Sequence, residues 1–301
     1  MRCSAGRGWA RCAAFGALIG MVAITTALAP GAARAKSLSG MEIIGHRGGN
    51  DFGPESTPAT FAHAVAVGAQ AIEFDVRFTR EGVPVVLHDT TLDRTTDCKG
   101  PVAERSLASL AQCDAGRGQR IPTLAQALEV ISTSHIRVYV HCKVVDNLEQ
   151  AHAIVGEIDA HGLNDGRAAT TIADTDQRLS FLRAAGSQRL GLVFDNPDGW
   201  NAHYPVLIAY NTKVTAELVK RAQAQGSEVI TVQDHLTSLD ELMADNAGLD
   251  GFMADRLDDT LEQVGRYTVP PGTNPQQPDG AVLLEDTRPG DGFPVTGLDG
   301  A

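Results

Sequence analysis

The chain has 301 residues and a formal net charge of −12. A surface of that sign repels nucleic acid and anionic membrane, which excludes a general role on either. Between two atypical ends lie about 230 residues, a length that suits one large domain.

The first 35 residues carry Arg2, Arg7, Arg11 and Arg34, no acid, an apolar run over 13–28 and then Ala33-Arg34-Ala35. A charged start, a short apolar middle and a small-x-small end describe a secretory signal peptide cleaved after Ala35. The run is short and poorly flanked for a transmembrane helix. Cys3 and Cys12 precede the apolar core and do not mark a lipoprotein cleavage site. The expectation is a secreted, extracellular chain with no stable membrane anchor, an uncleaved anchor being the alternative. Loss of the four arginines takes the formal charge to about −16, so a site for anions needs local positive charge.

A buried strand is expected over 41–45, and Gly45, Gly48 and Gly49 let the backbone turn tightly around His46. Ser56 or Thr57 caps a helix with Phe61, Ala64 and Val65 on its apolar face. A strand over 71–76 comes next, and Glu81-Gly82 turns the chain into a third over 83–88. Residues 98–120 are loop-rich with one short helical piece over 106–111, an insertion after the third strand that either projects near the site or only elaborates the surface. Thr123 caps a helix to 131.

Beyond it, strands over 136–143, 168–172, 189–194, 206–210, 228–232 and 251–254 alternate with helices over 148–160, 175–185, 215–225 and 238–245 and one from 257. Trp200 and Tyr204, after the 189–194 strand, either line a pocket or cover the barrel. One strand more than a closed eight-stranded ring needs is present, and 83–87 or 206–210 is the candidate to lie outside it. The alternation predicts a single (β/α)₈ TIM barrel over 36–265, not an open doubly wound sheet, and no glycine-rich nucleotide loop supports the latter. From 266 the chain is dense in proline and glycine, with Val-Pro-Pro-Gly-Thr-Asn-Pro near its start. Such a composition cannot hold a core and reads as a flexible tail over 266–301.

In an exported chain Cys98 and Cys113 can close a loop of about 15 residues, which would stabilise the domain by roughly 3 kcal/mol. Cys142 is then left as a buried free thiol in a strand.

Chemistry concentrates between Ile43 and Thr96 and again at Lys143. In a strand, residues i and i+2 share a face, so Glu73 and Asp75 point one way while Phe74 and Val76 point the other. Like charges side by side repel, and a bound cation is the usual remedy, although acids that simply face water give the same pattern. His46 and His88 each come after a short apolar strand, and Arg47 adjoins His46. A base, an acid, a cation site and a fixed positive charge are what cleavage of a phosphodiester requires. In a barrel, His46, Asp75, His88 and Lys143 all fall at the carboxyl ends of strands, where such sites form.

The ordered segments His46-Arg47-Gly48, Pro54-Glu55-Ser56-Thr57, Glu73-Phe74-Asp75-Val76, Val85-Val86-Leu87-His88-Asp89 and Leu92-Asp93-Arg94-Thr95-Thr96 resemble the glycerophosphodiester phosphodiesterase family. The likeness is dense over 41–143 and thinner to about 264. It implies His46 and His88 as catalytic acid and base, Arg47 and Lys143 as phosphate-binding residues, and Glu73 with Asp75 as ligands of one divalent metal ion. In that family a hydroxyl of the glycerol attacks phosphorus, an alcohol leaves, and water opens the cyclic phosphate.

Two segments depart from the pattern. His141-Cys142-Lys143 stands where the family has Glu-x-Lys, so His141 either becomes the third metal ligand or is a buried structural histidine. Ca²⁺ or Mg²⁺ is the first expectation for the ion, with Mn²⁺ or Zn²⁺ admitted by the imidazole. Near the end of the barrel, Ile230 and Gln233 replace an aromatic and an asparagine, and Gly251 to Arg256 resembles the closing family motif without supporting a catalytic role.

The resemblance thus implies hydrolysis of a small glycerophosphodiester, or of a cell-wall glycerol phosphate polymer, to sn-glycerol 3-phosphate and an alcohol. The alternatives are a phospholipase D-like enzyme acting on lysophospholipid or sphingomyelin, or a catalytically impaired barrel that only binds phosphodiesters.

Overall fold

The computed structural model describes residues 40–194, 204–210, 213–233 and 248–270. The signal peptide expected over 1–35, Trp200, the helix expected over 238–245 and the tail beyond 270 lie outside the described residues. In chain order the elements are β1 (Glu42–Gly45), α1 (Pro58–Val67), β2 (Ala71–Phe78), β3 (Pro84–Val86), α2 (Leu107–Leu110), α3 (Leu124–Ser132), β4 (Arg137–Cys142) and α4 (Leu148–Ala160). They continue with β5 (Ala169–Ala173), α5 (Asp176–Ala184), β6 (Leu190–Val193), β7 (Val206–Tyr210), α6 (Ala216–Ala224), β8 (Glu228–Val232), β9 (Gly251–Ala254) and α7 (Leu257–Gln263).

Most of the helices begin where a short polar side chain accepts an otherwise orphaned backbone N–H. Thr57, not Ser56, caps α1 by accepting from Thr60 N, with Pro58 preset in the first turn. Thr123 and Gln126 form a reciprocal capping box on α3, and Asn147, Thr175 and Thr215 cap α4, α5 and α6. Gly68, at φ 97°, stops α1 in the left-handed region.

Eight strands run parallel in the order β1, β2, β4, β5, β6, β7, β8, β9, and pairing of β9 with β1 closes the ring. The ninth is β3, antiparallel on β2 through Val76 opposite Val86. It lies outside the ring, being only three residues long and starting on Pro84, which has no N–H to give a ladder. The 206–210 strand, the other candidate, is within the ring as β7.

Two apolar layers arise from the period of two along each strand. Phe61, Phe74, Val76, Leu128, Val140 and Cys142 belong to the layer between helices and strands. Ile44, Ala71, Tyr139, Ile172, Ile208, Ile230 and Met253 fill the barrel interior. Two residues further along the same faces stand His46, Glu73, His141, Asp174 and Asp255, so the alternation that builds the core also delivers polar groups to the carboxyl end.

The insertion after β3 has its own small core of Val85, Leu87, Leu92, Val102, Leu110 and Ile121. The Cys98–Cys113 disulfide closes it, as the spacing predicts. Cys142 is buried and free, and burial pushes its thiol well above the usual range.

Candidate active site

His46 leaves the end of β1 with Nδ1 2.6 Å from Asp255 Oδ1. Asp255 comes directly after β9, and its position is held by Asn50 Nδ2, which donates to Oδ1, and by its own N–H, which donates to Gln233 Oε1. A carboxylate only accepts, so the ring proton sits on Nδ1 and Nε2 is left facing inward, 3.8 Å from Glu73 Oε2.

His88 repeats the device with a different partner. Its Nδ1 lies 2.6 Å from Asp89 Oδ1, and Asp89 also accepts from Arg94 Nε at 2.7 Å. Arg94 in turn donates twice to Glu55, each at 2.8 Å. Burial works to raise the Asp89 carboxyl, but His88 and Arg94 together pull it far below the ordinary carboxylate range. Glu55 is likewise lowered, its burial outweighed by Arg94 and Arg47.

Arg47 sits in the tight turn after β1 at φ 53°, a left-handed conformation that non-glycine residues adopt rarely. That geometry turns its N–H toward Glu73 Oε2 at 3.2 Å and sets its guanidinium between Glu55 at 3.4 Å and Asp75 at 3.8 Å. Gly48 next to it, at φ 88°, has no room for a side chain, since a Cβ would lie 2.9 Å from Phe61 and Thr60.

Glu73 and Asp75 are 2% and 1% exposed, far too buried to be acids that merely face water. Asp75 Oδ1 has Lys143 Nζ at 3.4 Å and His141 Nδ1 at 3.1 Å, and His141 Nδ1 lies 3.9 Å from Glu73 Oε1. Burial and the neighbouring Asp75 raise the Glu73 carboxyl. Burial acts in the same direction on Asp75, but Lys143 and His141 hold it well below the usual value. One ligand atom from each of Glu73, Asp75 and His141 falls within 4.8 Å of the others, and Asp75 Oδ2 is buried without a hydrogen-bond partner among the described residues. Converging carboxylates, an imidazole nitrogen and an orphaned oxygen fit a divalent cation. The far nitrogen of His141 is occupied, with Nε2 2.9 Å from Asp174 Oδ1, while Asp174 Oδ2 accepts from Arg178 at 3.1 Å. Burial opposes ionisation of Asp174, yet His141, Lys143 and Arg178 bring its carboxyl below the usual range.

All seven residues singled out from the sequence, His46, Arg47, Glu73, Asp75, His88, His141 and Lys143, line one pocket of about 30 Å³. Its other wall is apolar, with Ile172, Val193, Ile208, Val232 and Met253, and Tyr210 stands at the rim, 45% exposed. Tyr204 is not part of it: its hydroxyl donates to Asp176, and the ring covers the barrel. Glu55 serves as anchor for Arg47 and Arg94. Sequence reasoning missed Asp255 and Asp174 as partners of His46 and His141. The available signal was period two, since 172 and 174, like 253 and 255, share the interior face of their strands.

The glycerophosphoryl diester phosphodiesterase family matches residues 46–259 of the chain. Over 108 residues the chain is 40% identical to a glycerophosphodiester phosphodiesterase of Caldanaerobacter subterraneus, and over 112 residues 33% identical to glycerophosphodiester phosphodiesterase 1 of Rattus norvegicus. Each stretch is 34% of this chain, and the matches span 44% and 34% of those relatives' own length. Among solved structures, an Oleispira antarctica phosphodiesterase in complex with the product sn-glycerol-3-phosphate superposes with a TM-score of 0.68 at 25% identity, covering 74% of this chain and 96% of that one. A glycerophosphodiester phosphodiesterase of Agrobacterium tumefaciens gives 0.62, also at 25% identity, over 72% and 98%.

Proposed function

The chain belongs to the glycerophosphoryl diester phosphodiesterase family, and on that premise we propose that it hydrolyses glycerophosphodiesters to sn-glycerol 3-phosphate and an alcohol. The observation that carries the reading is the pair of imidazoles, His46 and His88, each tied through Nδ1 to a carboxylate at 2.6 Å and both lining the pocket that holds Glu73, Asp75 and His141.

With Nδ1 committed, each ring has Nε2 free for proton transfer. One imidazole accepts the proton of the attacking glycerol hydroxyl, and the other donates to the departing alcohol oxygen. The roles reverse when water opens the cyclic phosphate. Asp255 and Asp89 stabilise whichever ring is protonated and keep it from turning. Arg47 and Lys143 supply fixed positive charge for the phosphoryl oxygens as negative charge spreads over them. Glu73, Asp75 and His141 would hold a divalent cation, which when bound adds charge neutralisation and lowers the pKa of a coordinated hydroxyl.

Export is part of the proposal, supported by the Cys98–Cys113 bridge, a linkage that persists in oxidising compartments. Small glycerophosphodiesters are the substrates proposed, with polymeric glycerol phosphate as a further candidate. The apolar wall and the exposed Tyr210 favour one second reading, phospholipase D-like release of the headgroup from lysophospholipid.

The test is product analysis with glycerophosphocholine, a glycerol phosphate polymer and lysophosphatidylcholine, each under Ca²⁺, Mg²⁺, Mn²⁺ and Zn²⁺. Glycerol 3-phosphate is expected from the first, and His46→Ala and His88→Ala are each expected to lower kcat by about 10²–10⁴-fold. Turnover retained in either variant would remove the acid–base assignment. Absence of turnover with every substrate and ion would leave a phosphodiester-binding barrel.

A further inference from the structure

We propose that Asp174 fixes His141 with its proton on Nε2, so that His141 presents the lone pair of Nδ1 beside Glu73 and Asp75 and tunes the ion site toward nitrogen-accepting cations such as Zn²⁺. The inference rests on the assignment of these three residues as an ion site and deepens it by naming what selects the ion.

Asp174 comes directly after β5, at the interior position two residues beyond Ile172, and reaches His141 across the β4–β5 pairing in which His141 lies opposite Ile172. To ligate a cation an imidazole must be neutral, with one ring proton, and His141 stands between two carboxylates. The contact to Asp174 is 2.9 Å and that to Asp75 is 3.1 Å. Asp75 already receives Lys143 on the same oxygen, whereas Asp174 meets Arg178 through its other oxygen and keeps Oδ1 for the ring. A proton on Nε2 therefore serves Asp174 and turns the Nδ1 lone pair toward Asp75 Oδ1. Acceptors then converge from three side chains, and a cation placed among them resolves the conflict. A carboxylate that accepts from the far nitrogen also makes the near one a better donor to metal. Oxygen-only sites suit Ca²⁺ and Mg²⁺, while imidazole suits Zn²⁺ and its neighbours.

Almost any mixed site binds Zn²⁺ more tightly than Ca²⁺, so the ratio alone decides nothing and its change on substitution decides everything. Dissociation constants for Zn²⁺ and Ca²⁺ are measured by chelator competition on the purified protein, its Asp174→Ala and Asp174→Asn variants, and His141→Glu. Asp174→Ala is expected to weaken Zn²⁺ by about 10–100-fold and Ca²⁺ by less than about 3-fold, because only the nitrogen ligand loses its support. Asp174→Asn, whose amide oxygen still accepts, falls between. His141→Glu shifts the ratio toward Ca²⁺.

Long-range ¹⁵N NMR of the Zn²⁺-loaded protein is expected to place the His141 proton on Nε2. Equal weakening of both ions by Asp174→Ala, no weakening, or a proton on Nδ1 would overturn the proposal. Asp174 is 39% exposed at its side chain, so the alanine variant is expected to fold; if it does not, the asparagine variant and the NMR assignment decide. These readouts need no turnover. Failure of the diesterase assay with every ion would sink the proposed function and leave this inference standing.

Discussion

At the amino ends of the strands Glu42 accepts from Tyr139 Oη at 2.6 Å and pairs with Arg137 at 3.3 Å, while Glu228 takes Arg137 at 3.4 Å and Arg189 at 2.8 Å. At the carboxyl ends Glu73 and Asp75 stand side by side against an imidazole, with Asp75 Oδ2 lacking any hydrogen-bond partner among the described residues. Both clusters gather charge at an end of one barrel, half-buried in the lower and fully buried in the upper. In the lower one, acids and guanidiniums alternate and each carboxylate meets a donor; among the described residues a single donor of that cluster, Arg189 Nε, is left over. In the upper one, acceptors crowd together. The lower end also opens onto the larger cavity, about 530 Å³ against about 30 Å³ at the site. Cavity volume therefore does not locate the chemistry. What does is a fully buried pair of like charges, Glu73 and Asp75, with one carboxylate oxygen left without a hydrogen-bond partner among the described residues.

The contrast between the two ends breaks most visibly if the lower cluster turns out to serve catalysis. Glu42→Ala removes the shared partner of Tyr139 and Arg137, leaving the buried Tyr139 hydroxyl without this acceptor and the half-buried Arg137 with Glu228 as its remaining carboxylate. The loss of stability is expected to be about 1–2 kcal/mol, read from denaturant titration. Turnover per folded molecule is expected to be unchanged. A fall in kcat with stability intact would show that the lower network reaches the site.

A contrasting substitution at the upper end is Asp255→Asn. The amide keeps the shape of the carboxylate but can donate to Nδ1 of His46, which favours the wrong tautomer and no longer stabilises the charged ring. The expected result is a loss of about 10–100-fold in kcat with the melting temperature within a few degrees of the parent. Equal activity would mean that the 2.6 Å contact orients nothing of consequence.

The ring was legible in the sequence because periodicity and helix caps state it directly: Thr57 and Thr123 mark helix starts that the structure keeps. The extra strand was legible only as a choice of two, since the short apolar runs at 84–86 and 206–210 look alike until Pro84 meets an edge. At the site, residues on local motifs could be named in advance. Asp255 and Asp174 could not, because each acts on a histidine far away in the chain, 209 and 33 residues respectively. Such pairings are set by ring closure and strand register. Sequence patterns report which face a residue takes, and register decides whom it meets.

The sharpest contrast between the two ends concerns the sign of a stability change. Removing charge from the lower cluster takes away a partner and destabilises. Burial raises the carboxyl at both ends, that of Glu42 and that of Glu73, but Arg137 and Tyr139 pull Glu42 back down whereas the foremost neighbour of Glu73 is a second acid, Asp75, which raises it further. Glu73→Gln keeps an oxygen to accept the Arg47 N–H and removes one of two adjacent charges. In metal-free protein the unfolding free energy is therefore expected to rise by about 1 kcal/mol, measured by denaturant titration in chelator. Added divalent metal, which would raise the melting temperature of the parent by binding the native state, is expected to leave the variant unmoved. A variant less stable than the parent in chelator would mean that Glu73 is held by its cationic neighbours as firmly as Glu42 is below, and the distinction between the two ends would fail.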